Sequence, residues 1–101
     1  MKTTITEDAG KYLVALDGRL DTACAPDVEN ELRPLLEVQN TDICVDCKDL
    51  AYISSSGLRL FMSLQKACTK NNTKLTLKAM RPEIKEVFEM TGFTLIFTII
   101  D

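Results

Sequence analysis

Three consecutive hydroxyls, Ser54, Ser55 and Ser56, stand directly before Gly57 and Leu58, where an extended run hands over to an amphipathic one. At a helix start such hydroxyls have two uses. Serine is a preferred N-cap, because its side-chain oxygen satisfies a free N–H of the first turn. An exposed hydroxyl there is also a suitable phosphate acceptor. A phosphate brings about −1.5 to −2 charges, which the unpaired N–H groups of the first turn tolerate. The domain would stay folded, while a partner docked over that surface would meet new charge and a desolvation penalty. The two uses are compatible, since different serines of the run can serve each.

The other reactive residues are the cysteines Cys24, Cys44, Cys47 and Cys68. Cys44 and Cys47 form a C-x-x-C, but within TDICVDCKD, which reads as a strand. Residues three apart on a strand point to opposite faces, so the two sulfurs cannot share a metal. No second C-x-x-C assists, and a redox C-x-x-C normally opens a helix. These cysteines are read as small buried apolar residues. The chain has no histidine. That removes Ser-His and Cys-His nucleophile pairs, His metal ligands and the commonest general base. The G-x-S-x-G elbow is also absent. No enzyme, cofactor or metal is implied.

The elements that must position the serines follow from periodicity and punctuation. Residues 3–7 and 11–17 read as strands around the turn Asp8-Ala9-Gly10, a hairpin at the start. Gly18 to Thr22 is a loop. Pro26 fits the first position of a helix whose core stripe is Val28, Leu32, Leu35 and Leu36. Pro34 lies inside that pattern and predicts a kink or an early end. A third strand covers 42–47, and 50–53 is a further short extended run. After the serines a helix runs to about Lys70, with Leu58, Leu60, Phe61, Met62, Leu64, Ala67 and Cys68. That stripe is wider than one core face needs, so the helix is either buried on two sides or partly offered to a partner. A fourth strand covers 73–79. Pro82 and Gly92 bracket a third helix, and 94–100 reads as a last strand. The order is β-β-α-β-α-β-α-β. It implies an α/β fold: a mixed sheet of about five strands with helices packed on it, parallel after the first hairpin.

The chain of 101 residues is expected to be one domain, 1–101, with no linker and no internal repeat. Its 12 Lys and Arg against 15 Asp and Glu give a net charge of −3, which argues against nucleic acid as a partner. The start MKTTITEDAGKY does not resemble a signal peptide. The apolar run Phe93 to Ile100 is far short of the roughly 20 residues that span a bilayer. A cytoplasmic protein without a membrane segment is expected.

Three segments resemble the STAS-domain family of bacterial anti-sigma factor antagonists, over nearly the whole length. GRLDTACAP, with Gly18, Leu20, Asp21 and Ala25, is similar to the family's G-E-L-D-x-x-x-A. VDCKDLAYISSSGL resembles its L-D-L-S-x-V-x-Y-I-D-S-S-G-L, and MRPEIKEVFEMTGFTLIFTI resembles its x-P-x-V-x-x-x-F-x-x-x-G-L-x-x-x-F-x-I ending. The resemblance implies a single STAS domain acting as a phosphorylation switch. The unmodified protein binds an anti-sigma factor that is also a GHKL-type serine kinase, and a sigma factor is released. The kinase then phosphorylates the antagonist, and a PP2C-type phosphatase restores it.

Carried onto this chain, the phosphoacceptor is Ser55, with Ser54 and Ser56 as alternatives. Ser56 and Gly57 match the two residues after it, and Asp21 and Asp46 match aspartates of the family motifs. Asp21 is equally suited to capping the first helix or its loop, and Asp46 to bonding backbone N–H groups alone. Leu58, Arg59 and Met62 are the expected partner-docking residues. The family aspartate before the acceptor is here Ser54, which removes a negative charge beside the site. Many relatives also carry a closing helix after the last strand. The chain as given ends at Asp101, so weak homodimerisation through a less covered sheet is expected. The competing reading is an unswitched STAS scaffold subunit of a transport or signalling complex, docking through the broad apolar helix.

Overall fold

A computed structural model describes residues 1–37 and 40–101. Strands β1 (Lys2–Asp8) and β2 (Lys11–Leu20) form the opening antiparallel hairpin, with Ala9 and Gly10 both at positive φ in its turn. Then follow α1 (Ala25–Leu36), β3 (Asp42–Ile53), α2 (Ser55–Lys70), β4 (Leu75–Lys78), α3 (Pro82–Met90) and β5 (Thr98–Ile100). The sheet order is β1-β2-β3-β4-β5, and every pairing after the hairpin is parallel. This is the mixed five-stranded α/β domain that the element order implied. Among the described residues, no helix is long and apolar enough to cross a membrane.

Alternation along the strands decides which face meets the helices. Val14, Leu16 and Leu20 of β2, Ile43, Val45 and Cys47 of β3, and Leu75 and Leu77 of β4 are buried. Val28, Leu32 and Leu35 of α1, Leu60, Phe61 and Leu64 of α2, and Ile84 and Phe88 of α3 complete the core. Cys47 faces inward, while Cys44 is only half-buried, so the C-x-x-C sulfurs do point to opposite faces. Burial pushes the Cys47 thiol up to about 12, which leaves it an inert core residue.

Four expectations need correction. The third strand and the short extended run are one strand, β3. Two bulges keep it in register with β2: Ala15 and Asp17 face Asp46 and Asp49, and Gly18 and Arg19 face Leu50 and Tyr52. The second strand continues to Leu20, through residues expected in a loop. Of the kink or early end expected at Pro34, the early end is not found: the first helix runs on to Leu36, and Leu35 is buried in the core. The last strand begins only at Thr98, since Phe93–Leu95 form a 3-10 turn. There the tertiary demand of Phe93 and Phe97 on the aromatic cluster overrides β propensity.

Candidate functional site

Parallel strands β2, β3 and β4 each feed a helix, so the N-termini of α1, α2 and α3 gather at the carboxyl end of the sheet. This is where ligands and partners meet open α/β sheets. The serine run lies there. The Ser54 N–H donates to the carbonyl of Leu20 at 2.9 Å, which ties the start of α2 to the end of β2.

The three hydroxyls are not equivalent. Ser54 is the N-cap of α2: it is buried, and its Oγ accepts the Gly57 N–H at 3.2 Å. Ser56 is half-buried, and its Oγ accepts a bond from the Arg59 guanidinium at 3.2 Å. Ser55 is exposed, and the hydroxyl-mediated bonds at this helix end use its two neighbours instead. One serine caps, one holds an arginine, and one is presented. Ser54→Ala should therefore cost about 1 kcal/mol of unfolding free energy, as loss of an N-cap does, and Ser55→Ala close to nothing. Urea unfolding of the two variants checks this. Equal costs would remove the division of labour.

Gly57 permits the close approach. A Cβ there would lie 2.9 Å from Ile53 Cγ1 and 2.9 Å from both Cγ and Cδ2 of Leu20. Gly57→Ala should lower stability by about 1–3 kcal/mol through overpacking. It should also disturb the Ser54 cap, since both depend on the same β2–α2 junction. A thermal melt matching the unsubstituted chain would contradict this.

Asp21 belongs to the same end of the sheet. It follows Leu20, and its Oδ1 accepts the Cys24 N–H at 2.9 Å, fixing the turn that opens α1. That backbone N–H, foremost, holds its carboxyl below the usual range. Asp46 is not brought to the site. It lies seven residues before the end of β3, about 23 Å along the strand at roughly 3.3 Å per residue. Its Oδ1 accepts the Lys48 N–H at 3.0 Å across the first bulge of β3, a local backbone bond.

Among the expected docking residues, Arg59 is exposed and Met62 half-buried, but Leu58 is a core residue with 7% exposure. Leu60, Phe61, Leu64 and Cys68 are buried as well. The wide stripe of α2 is thus explained by burial on two sides, against the sheet and against α1. This removes the broad apolar helix on which the scaffold reading relied. Between α1 and α2 lies an open groove of about 350 Å³, with Thr22 and Glu29 on one wall and Ser56, Arg59 and Ser63 on the other. Sequence reasoning missed Arg19, whose guanidinium stacks on the Tyr52 ring at 4.3 Å. The signal was present: Arg19 stands where the family motif has Glu.

Residues 3–98 match the family model described as "Mlab, STAS domain". The chain belongs to the STAS family. The anti-sigma-B factor antagonist of Staphylococcus aureus is 34% identical over 89 residues, covering 88% of this STAS chain and 82% of the relative. An anti-sigma factor antagonist from Mycobacterium paratuberculosis superposes with a TM-score of 0.88 at 18% identity, over 98% of this chain and 84% of that one. SpoIIAA, a Bacillus cell-fate determinant solved in its phosphorylated form, superposes with a TM-score of 0.74 at 16% identity, over 97% of this chain and 90% of that one. These two superpositions support the fold. The STAS domain read from the three motifs is borne out.

Proposed function

We propose that this STAS domain is a cytoplasmic anti-sigma factor antagonist switched by phosphorylation of Ser55. Unmodified, it binds an anti-sigma factor that is also a serine kinase, and a sigma factor is released. The kinase transfers the γ-phosphoryl group of ATP to Ser55 Oγ, with ADP leaving and the hydroxyl proton passing to the kinase or to water. A PP2C-type phosphatase hydrolyses the ester and resets the switch. The chain itself performs no catalysis; it presents a hydroxyl and a face.

The observation that carries this reading is the partition of the three serines. Ser54 is engaged in the cap and buried, Ser56 bonds Arg59, and Ser55 projects from the first turn of α2. Modification at Ser55 leaves the cap intact, so charge is added without unfolding the helix. Arg59 and Met62 extend the docking face along α2. Asp21 lines its edge as the residue that shapes the adjoining turn.

Incubation with the cognate kinase and ATP, followed by mass spectrometry of the phosphopeptide, tests the assignment. Phosphate on Ser55, abolished in Ser55→Ala, is the expected result. Phosphate on Ser54 or Ser56, or on none of the three, overturns it.

A further inference from the structure

The carboxyl end of the sheet differs in charge from the family motif at two positions. Arg19 replaces the Glu of G-E-L-D, and Ser54 replaces the Asp before the acceptor. Two carboxylates are absent and a guanidinium is gained. Arg59 adds a second guanidinium. It lies four residues after Ser55, so the two side chains share one helix face with Cβ atoms about 5–6 Å apart. Its Nη2 lies 3.2 Å from Ser56 Oγ, so the guanidinium is folded back over the first turn.

Among the described residues, the hydrogen-bond partner of the Arg59 guanidinium is this neutral hydroxyl and not Glu29, which faces the same groove from α1. A neutral acceptor holds a guanidinium less strongly than an anion does. Two other charged groups at this end of the sheet have partners of their own. Asp21 is bonded to the Cys24 N–H, and Arg19 is stacked on Tyr52.

We propose that Arg59 receives the phosphate on Ser55. The guanidinium leaves the Ser56 hydroxyl and pairs with the phosphate oxygens. Modification then changes the docking face twice: it adds negative charge and withdraws an exposed arginine that a partner carboxylate would use. This rests on the reading of Ser55 as the acceptor, and it adds a positioning residue that the family motif does not contain.

The test does not need the kinase. Phosphoserine is incorporated at position 55 during synthesis of the full chain, and its second ionisation, near pH 6 for a free phosphoserine, is followed by ³¹P NMR. Carboxylates and guanidinium groups do not ordinarily change charge around that pH, so the midpoint reports the local partner. The unsubstituted chain should titrate about half a pH unit below Arg59→Gln, a roughly threefold change in proton affinity, the size expected of an exposed ion pair. Arg59→Lys should fall between them. Coincident curves for the unsubstituted chain and Arg59→Gln overturn the proposal. So does a shift in Arg19→Gln alone, which would make Arg19 the receiver. Failure of kinase labelling would instead remove the acceptor assignment and leave this titration readable.

Discussion

Phosphoserine at position 55 is expected to weaken binding to the anti-sigma factor by about 100-fold. The chain starts at a net charge of −3, and the phosphate takes it to roughly −5 at full ionisation, with the whole change at one end of α2. Like charges brought together at an interface cost several kcal/mol, and about 3 kcal/mol corresponds to roughly 100-fold in affinity. Ser55→Asp is a poorer imitation. It carries one charge, on a shorter side chain than a phosphoserine, and should cost about tenfold. The thermal transition should hardly move in either case, because the Ser54 cap does not involve the Ser55 hydroxyl. Isothermal titration of the partner with the three forms, beside thermal melts, reads both quantities. An unchanged Kd for the phosphoserine form would remove the electrostatic account. A large drop in melting temperature would mean that the phosphate acts by unfolding α2 instead.

The frame that presents Ser55 was legible because local signals and tertiary demands agree. The hairpin has Gly10 at its turn, α1 has Pro26 in its first turn, and α3 has Pro82 at its start and Gly92 at its end, with φ +76° at the glycine. Where the two demands differ, the sequence misleads. Residues 93–97 have the composition of a strand, yet Phe93 and Phe97 turn inward to the aromatic cluster. Leu58 was not separable from the exposed part of α2, because a helix buried on two sides has no clean apolar stripe. The serines pose the same difficulty in sharper form. Ser54, Ser55 and Ser56 are chemically identical, and a one-residue difference in where the helix begins decides which one caps. Only the backbone at Ser54, extended at φ −92° and ψ 173°, fixes that start. The family motif ranked Ser55 first without supplying this reason.

Asp46 shows the converse. A motif match placed it with the acceptor, but its carboxylate spans a bulge of β3 and bonds Lys48 N–H. Motifs gather residues that serve one fold as readily as residues that share one site. The bulges are themselves relevant to the site. By absorbing two extra residues, β3 stays paired with β2 up to Leu20 and Ile53, and that pairing sets the junction on which Ser54 and Gly57 depend.

Phe88→Ala is expected to have the largest effect on stability, about 3–5 kcal/mol. Phe88 is fully buried, and its ring centroid lies 5.8 Å from Phe61, 6.4 Å from Phe93 and 5.6 Å from Phe97. Its removal leaves a cavity at the meeting point of α2, α3 and the segment that leads into β5. A typical domain has only about 5–15 kcal/mol in total, so the variant should be close to its unfolding threshold. Loss should be felt first in β5, which has only three residues and whose pairing runs through Thr76, Leu77 and Lys78. Amide exchange at β5 should therefore accelerate more than at β2 or β3, whose pairing is longer and central. Phe88→Leu, which keeps most of the volume, should cost markedly less. Urea unfolding and amide exchange measure the two parts. A cost for Phe88→Ala below about 1 kcal/mol would mean that the cluster is not the anchor of the carboxyl-terminal segment. Below its own melting temperature the variant should still be labelled on Ser55. The cap and the β2–α2 junction rest on Ser54, Gly57 and Leu20, and none of these is a member of the aromatic cluster.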